Sequence, residues 1–162
     1  MDIIREIKNF KKKQKPVPVI KGKIHTKYNT SLSDNTIVGK YCSFHGTKVM
    51  GKGKVIIGDY FHAGDNLLFL TEKHNYEGEF LPYDRNTIVE DIIVGNYVWM
   101  GDNVIVLGDV KIGDGAIIQA GAVVSSDIPE CGIAGGNPAR VFKYRDIKHF
   151  ERLKREGKFL KF

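Results

Sequence analysis

The chain has 162 residues, 42% of them hydrophobic, and a formal net charge of +6. This length suits one domain with a sizeable core better than two. Because no apolar run approaches about 18 residues and the N-terminus lacks a signal-type core, the sequence predicts a cytoplasmic protein with no stable membrane insertion. Its two cysteines, Cys42 and Cys131, follow no metal-ligand spacing and are predicted to be reduced thiols.

The basic charge is concentrated at the two ends of the chain. Residues 1–23 carry eight Lys or Arg against two acids, residues 138–162 carry nine against three, and the remainder has a net charge of −6. A nucleic-acid-binding protein more often has a basic stripe with interleaved aromatic residues on its folded body. The distribution therefore favours a small anionic ligand or a solvated cap over nucleic acid.

The chain begins with a short amphipathic segment. Residues 1–13 place Ile3, Ile4, Ile7 and Phe10 on one face of a predicted helix with Lys and Arg opposite. A cap over the first coil of a repeat structure and a helix lying on a membrane surface are both compatible with this pattern. Residues 15–23 contain two prolines and are predicted to be extended, so that residues 1–23 form a basic cap and lead-in.

The central stretch, residues 94–124, repeats with a period of six, which neither an α-helix nor an ordinary strand produces. The first apolar series consists of Val94, Met100, Val106, Ile112, Ile118 and Val124. The second, two residues ahead, consists of Ile92, Val98, Val104, Val110, Ala116, Ala122 and Ile128. Glycines directly follow several members of the first series, where we expect corners that need relaxed backbone sterics. These are Gly95, Gly101 and Gly113.

This period predicts an all-β solenoid of short parallel strands, with three hexads in each triangular coil. Coils lie about 4.8 Å apart, so residues eighteen apart stack on one wall. Val94 is then expected under Ile112, and Met100 under Ile118. Weaker hexads with a register slip extend the solenoid towards the N-terminus, and we assign residues 24–128 to it within a single domain, residues 1–162.

Residues 70–91 interrupt the repeat with a long polar stretch and are predicted to protrude as a loop. Structureless connections of this length are uncommon inside compact domains and are usually functional. Residues 129–162 leave the coil through proline and glycine turns. A helix is predicted over residues 145–156, with Asp146 as N-cap and Gly157 as the stop, and it is expected to cap the second end of the solenoid.

The repeat, the loop histidine His74 and the turn Gly-Asn-Pro-Ala-Arg at residues 136–140 together resemble the hexapeptide-repeat acyltransferases, which include sugar, maltose and xenobiotic O-acetyltransferases. The resemblance covers roughly residues 30–143. It implies a left-handed parallel β-helix, a hand that would not otherwise be expected because parallel crossovers are nearly always right-handed. It also implies acetyl-CoA as cosubstrate and no metal. Since a groove on one side wall stays open until a neighbour closes it, we expect a C3 homotrimer with active sites between subunits.

Within this resemblance, His74 is the general base. Trp99 follows it by about one and a third coils, as in the sugar and xenobiotic acetyltransferases. An imidazole with a pKa near 6.5 is largely neutral at pH 7 and still basic enough to accept a proton. The orienting partner of its second nitrogen stays open among Glu72, Glu77, Asp65 and a backbone carbonyl.

The resemblance also implies an acetyl-CoA groove with an oxyanion donor at a backbone N–H near Gly101 or Asp102, and relatives commonly have Ser in place of Asp102. Arg140 and Lys143 match positions whose cations meet the nucleotide phosphates. Ser125 and Ser126 stand where relatives often have Thr-Lys, so one phosphate cation is missing there. The groove residues implied are Trp99, Gly101, Ala120, Gly121, Ser125, Ser126, Pro138, Arg140 and Lys143.

For the acceptor, the resemblance points to His45, with Tyr83 and Asp84 from the loop, while His62 is predicted to be structural. Lys52 falls where galactoside-type relatives have an acceptor Asp, so the acceptor site is not that of a galactoside or maltose enzyme. The acceptor is predicted to be a small saccharide or nucleotide sugar. Our first choice is a sugar hydroxyl in surface polysaccharide or a saccharide precursor.

Several other functions remain open at this stage. An amino group of a nucleotide-linked sugar and a xenobiotic alcohol are the next acceptors. A γ-type carbonic anhydrase uses the same solenoid, but it needs a His-x-x-x-x-His pair and a third His to hold zinc, and the histidines offer no such pair. Those considered are His45, His62, His74 and His149. A catalytically silent binding platform is a further alternative, against which the interrupted loop argues.

Overall fold

The structure, a computed structural model, describes residues 17–161. The predicted N-terminal helix at residues 1–13 therefore lies outside the described residues. Short parallel strands form the three walls of a prism, and the all-β solenoid predicted from the period is confirmed. The left hand remains an expectation from the resemblance.

Each wall is a sheet in which strands from successive coils lie side by side. Wall A consists of β1 (Val19–Ile20), β3 (Thr36–Val38), β6 (Val55–Ile57), β11 (Ile92–Val94) and β14 (Val110–Ile112). Wall B consists of β2 (Ile24–Lys27), β4 (Cys42–His45), β7 (His62–Asp65), β12 (Trp99–Met100), β15 (Ile117–Ile118), β17 (Gly132–Gly135) and β18 (Arg140–Tyr144). Wall C consists of β5 (Lys48–Met50), β8 (Leu68–Leu70), β13 (Ile105–Leu107) and β16 (Val123–Val124).

The predicted stacking register is confirmed. Val94 pairs with Ile112 and Met100 with Ile118, each in parallel register eighteen residues on. Both apolar series are buried and fill the interior of the prism. β18 differs from the other members of wall B because it returns antiparallel to β17.

The corners of the prism work differently from the prediction. Gly95, Gly101 and Gly113 do not need a left-handed backbone; instead they lie against the next coil, and a Cβ on Gly113 would come 2.4 Å from the Glu130 nitrogen. The left-handed position is usually two residues later, as at Tyr97 with a φ of 59°. The glycines are therefore required for close approach between coils.

Three edges join the walls, and we name them by the walls they connect. The AB edge is formed by residues 39–41, 58–60, 95–97, 113–115 and 129–131. The BC edge is formed by residues 64–66, 101–103, 119–121 and 135–137. The CA edge is where each strand of wall C leads into wall A.

The segment 70–91 leaves the prism at the CA edge and protrudes as predicted, and its ends are ordered as strands. Its two ends pair antiparallel as β9 (Glu72–His74) and β10 (Thr87–Val89), and residues 75–86 form the tip of this hairpin. The prism closes beneath it, because Ile92 pairs with Val55 of the preceding coil.

The C-terminal helix α1 spans Ile147–Arg155, slightly less than predicted, and Asp146 is its N-cap, accepting a hydrogen bond from the His149 N–H at 2.9 Å. Phe150 packs where Gly115 leaves room at the AB edge. Among residues 17–161, no helix is both long and apolar enough to cross a membrane.

Candidate functional site

His74 lies at the end of β9, at the base of the hairpin, and its side chain is exposed. Its ring stacks on Tyr83 from the hairpin tip, with centroids 3.8 Å apart and planes 14° from parallel. Beside it lies a cavity of about 280 Å³ lined in part by Gly51, Leu70 and Thr87. Tyr83, expected to contact the acceptor, is therefore brought directly to the predicted base.

Two of the predicted orienting partners of His74 are engaged elsewhere. The Glu72 carboxylate accepts hydrogen bonds from the Thr87 hydroxyl and, at 3.0 Å, from the Lys52 ammonium. These two interactions, with Thr87 the larger, lower the pKa of Glu72. Asp65 instead lies 3.4 Å from Nδ1 of His45.

The other predicted acceptor residue of the hairpin, Asp84, has an internal role. Its carboxylate accepts hydrogen bonds from the N–H groups of Glu79 and Phe80, at 3.0 and 3.1 Å. This arrangement folds the hairpin tip that carries Tyr83. Asp84 therefore positions the tip, whether or not it also contacts an acceptor.

The first half of the predicted acetyl-CoA groove follows the BC edge. Gly101 and Asp102 occupy this edge in one coil, and Ala120 and Gly121 occupy it in the next, where the Gly121 N–H donates to the Asp102 carbonyl at 2.8 Å. Gly121 has a φ of 73°, and a Cβ there would meet nothing within 4 Å. The groove is therefore open to ligand at this point.

Asp102 is fixed by a ladder of side-chain caps. In this ladder, a side chain at the edge of one coil accepts a hydrogen bond from the backbone N–H at the same position of the preceding coil. The Asp102 carboxylate accepts in this way from the Asp65 N–H at 2.8 Å. The side chain placed to accept from the Asp102 N–H is that of residue 120. Residue 120 is Ala, which has no acceptor, so within the described residues the Asp102 N–H has no hydrogen-bond partner. The side chain of Asp102 is structural and its backbone donor is available.

The second half of the groove continues along the same edge. The Val123 N–H donates to the Gly136 carbonyl at 3.0 Å, and the Ala139 N–H donates to the Val123 carbonyl at 2.8 Å. Arg140 and Lys143 both lie on β18, at the end of wall B, and both are exposed. Pro138 is exposed beside this edge, whereas Ser125 and Ser126 are exposed on the CA edge, because they follow β16 where wall C leads into wall A.

Wall B presents a row of imidazoles on its outer face. The His45 ring lies 6.0 Å from His25 and 5.7 Å from His62, and its Nε2 is 3.2 Å from the Ser43 hydroxyl. Burial, and then the charge on His45, lower the pKa of His62. The lowered pKa favours the neutral form of His62, and the structural role of this residue stays a prediction.

An aromatic column along the AB edge was not predicted from the sequence. Tyr41 stacks on Tyr60 at 5.1 Å, Tyr60 stacks on Tyr97 at 5.4 Å, and Phe159 covers the last two. The signal was present in the sequence, because each tyrosine follows a corner glycine by two residues. The spacing of the three tyrosines is nevertheless irregular in the sequence, because the hairpin is inserted between Tyr60 and Tyr97.

The predicted residues fall into two groups on different edges of one chain. His74 and Tyr83 belong to the hairpin at the CA edge, whereas Gly101, Asp102 and Ala120 lie on the BC edge. Wall C separates these edges, and its strands of two or three residues extend up to about 10 Å from one edge to the other. Within the described residues there is no group of three or more His, Cys, Asp or Glu that could hold a metal ion.

Comparison with known proteins agrees with this geometry. Residues 91–126 match the family model described as bacterial transferase hexapeptide (six repeats). The chain is 32% identical over 120 residues to the putative acetyltransferase YvoF of Bacillus subtilis, covering 74% of this chain and 66% of that protein. It is 28% identical over 121 residues to a chloramphenicol acetyltransferase of Agrobacterium fabrum, covering 70% and 53%. The chain thus spans about half to two thirds of the length of these relatives.

Solved structures share the fold. A maltose O-acetyltransferase from Clostridium difficile 630 superimposes with a TM-score of 0.72 at 26% identity, covering 90% of this chain and 74% of that one. A galactoside acetyltransferase in complex with coenzyme A superimposes with a TM-score of 0.63 at 24% identity, covering 93% and 74%. The repeat, the prism and these matches show that the chain belongs to the hexapeptide-repeat transferase family.

Proposed function

We propose that the protein is an acetyl-CoA-dependent acetyltransferase that transfers an acetyl group to a hydroxyl of a saccharide, in surface polysaccharide or a saccharide precursor. The observation that carries this proposal is the BC edge, where small residues, open space beside Gly121 and an uncapped backbone donor at Asp102 lie together. Relatives named acetyltransferases and a similar fold with bound coenzyme A support the same cosubstrate.

Acetyl-CoA lies along this edge in the proposal. Its pantetheine arm passes Gly121 and Ala120, where backbone amides are accessible, and its thioester reaches Asp102. The exposed face of Trp99 flanks the narrow arm. Arg140 and Lys143, on the last strand of wall B, then meet the phosphates, for which clustered cations are suited.

The proposed chemistry is direct transfer. His74 takes the proton of the acceptor hydroxyl while its oxygen attacks the thioester carbon, and the Asp102 N–H stabilises the oxyanion of the tetrahedral intermediate. The carbon–sulfur bond then breaks, and the departing thiolate receives the proton from His74. No acyl-enzyme is needed, and the cysteines are poorly suited to one because both are buried, with burial raising the pKa of Cys42 to about 11.

A homotrimer would complete the site. The outer face of wall C is apolar, with aliphatic side chains from three adjacent strands. They are Leu68, Leu70, Ile105, Leu107 and Val123. If this face points to a threefold axis, the CA edge of each chain lies beside the BC edge of its neighbour. His74 of one copy then approaches the Asp102 N–H of the next, which supports a shared active site.

A xenobiotic alcohol is the second candidate acceptor, favoured by the chloramphenicol acetyltransferases among the relatives. Thiol release from acetyl-CoA, measured with neutral saccharides, amino sugars and chloramphenicol, separates these acceptors.

The decisive variant is His74→Ala, for which we expect kcat to fall about 10²–10⁴-fold because the proton acceptor is lost. Tyr83→Phe is the matched control, since it keeps the ring that stacks on His74 and removes a hydroxyl. Undiminished kcat in His74→Ala would overturn the proposed mechanism. Absence of thiol release with every acceptor would instead favour the silent binding platform.

A further inference from the structure

A cavity of about 490 Å³ lies between wall B and the C-terminal segment, away from the BC edge. Tyr60, Tyr97 and Trp99 line it from the prism, and Phe150 and Phe159 line it from the C-terminal side. Its volume falls within the range of small-molecule sites, which is about 300–1,000 Å³. The proposed mechanism does not use this cavity.

The cavity wall is a set of flat rings. Phe159 lies 4.6 Å from Tyr60 and 5.2 Å from Tyr97, and the Tyr97 and Phe159 planes are 23° apart. The Trp99 side chain, 50% exposed, faces this space. Such walls favour the binding of a planar ring, because a stacked aromatic pair contributes more interaction free energy than the burial of its apolar area alone.

The charged residues that line the cavity are all cations: Arg145, Lys154 and Lys158. The Arg145 Nε donates to the Gly115 carbonyl at 2.6 Å, and among residues 17–161 no carboxylate forms an ion pair with this guanidinium. Lys154 and Lys158 lie 3.5 and 2.9 Å from Glu151 and Glu156, which are exposed or partly exposed side chains outside the cavity lining. A multiply charged anion bound in the cavity could therefore contact both the guanidinium of Arg145 and the ammonium groups of Lys154 and Lys158.

CoA is not the expected occupant if it binds as proposed above. Its phosphates would meet Arg140 and Lys143 on β18, and β17 and β15 separate that strand from β12, which carries Trp99. Three strand spacings amount to about 14 Å. The cavity extends from Trp99 in the other direction, over β7 and the AB edge, and so stays free.

We infer that this cavity binds the base and phosphates of a nucleoside phosphate other than CoA. The inference rests on the proposed function for its exclusion of CoA. Because Trp99 borders both the cavity and the proposed thioester site, a saccharide joined to the nucleotide would extend towards the reacting group. The nucleoside phosphate can therefore be the carrier of the acceptor or a free nucleotide that occupies the same rings and cations.

The chain offers a direct probe, since Trp99 is its single tryptophan. Uridine diphosphate added to protein saturated with CoA is expected to change the Trp99 emission in a saturable way. The double variant Lys154→Ala/Lys158→Ala should raise the dissociation constant about tenfold or more, because two charge-assisted contacts are lost. Lys148→Ala, on the same helix but outside the cavity lining, should leave the dissociation constant unchanged.

A second variant fills the space without changing charge. Leu153→Phe should weaken uridine diphosphate binding by calorimetry while the thermal transition is retained. No saturable binding by the wild type overturns the inference, and so does a double variant that raises KM for acetyl-CoA instead, since CoA would then occupy the cavity. The titration needs no turnover, so it is independent of the test of His74.

Kinetics separate the two sources of the nucleotide. If the double variant lowers kcat/KM for a uridine-diphosphate-linked sugar but not for the free sugar, the cavity holds the acceptor's carrier. If it changes neither while uridine diphosphate binding is lost, the cavity holds a free nucleotide.

Discussion

At the scale of single residues, the uncapped N–H of Asp102 distinguishes the BC edge from the AB edge. On the AB edge the ladder continues, with Asn96 accepting from the Asp59 N–H and Asp114 accepting from the Asn96 N–H, each at 2.8 Å. On the BC edge it stops at Ala120. Because Ala120 supplies no side-chain acceptor, the Asp102 N–H is held in place by the fold and stays free to donate to a ligand.

Restoring the cap should therefore remove the donor. In Ala120→Asn, the new carbonyl oxygen can accept from the Asp102 N–H as Asn96 does from Asp59. We expect greater stability to urea but a kcat about 10²–10³-fold lower at saturating acetyl-CoA, the usual cost of losing an oxyanion donor. Steady-state kinetics and urea unfolding measure both effects.

Two controls accompany this variant. Ala120→Leu is of similar size without an acceptor and should raise KM for acetyl-CoA more than it lowers kcat. Asp102→Asn keeps an oxygen for the Asp65 N–H and should keep kcat within about threefold. A full kcat in Ala120→Asn would show that the Asp102 N–H has no part in catalysis.

At the scale of elements, the Glu72 carboxylate links the two strands of the hairpin β9–β10 to each other and to the prism. Glu72 receives the Thr87 hydroxyl from the facing strand and the Lys52 ammonium from the coil below. Both interactions are stronger with the ionised carboxylate than with the protonated acid, which is why the pKa of Glu72 is lowered.

This attachment should depend on pH in a defined direction. A depressed folded-state pKa contributes stability above the unfolded value, about 4.3 for Glu, and the contribution is lost as pH falls through the folded pKa. Hydrogen exchange of the hairpin amides should therefore accelerate, relative to the prism, below about pH 4. In Glu72→Gln this additional acid dependence should be absent, and an identical pH profile for both proteins would contradict the assignment.

The strands of the prism could be predicted from the sequence because they repeat with a fixed period, whereas the pairing of the hairpin strands could not. Each hexad contributes buried positions such as Val94 and Met100 at regular intervals in the sequence. The period alone therefore predicts which residues of successive coils stack on each other. β9 and β10 lack the alternation of apolar and polar residues that identifies a hairpin, because Lys73 and Ile88 pair on an exposed arm. Their pairing depends on Glu72 and Thr87, which no periodicity reports.

At the scale of the whole molecule, the candidate site is divided. The hairpin carries the imidazole on the CA edge, and the groove lies on the BC edge. The sequence identifies residues of both groups but not their separation, because in the proposed trimer this distance depends on how copies of the chain meet rather than on any spacing within one chain.

The proposed trimer has a direct test on wall C. Leu107→Lys places a charge in the apolar outer face, and burying an unpaired charge at an interface costs several kcal/mol. We expect a monomer by sedimentation velocity, with thiol release lost because the two edges no longer meet. Ile93→Lys, which makes a similar change on the outer face of wall A, is the matched control and should leave assembly intact. Trimeric Leu107→Lys would exclude wall C as the interface.

The pairing of Val55 directly with Ile92 has a consequence for how such a chain can acquire a new specificity. The coils on either side of the hairpin meet as though nothing had been inserted between them, so the arm is topologically an appendage. Its length, sequence and tip can vary while the stack beneath keeps its dimensions. In the proposed mechanism, the hairpin that contacts the acceptor can therefore change in sequence without altering the edge that holds the thioester.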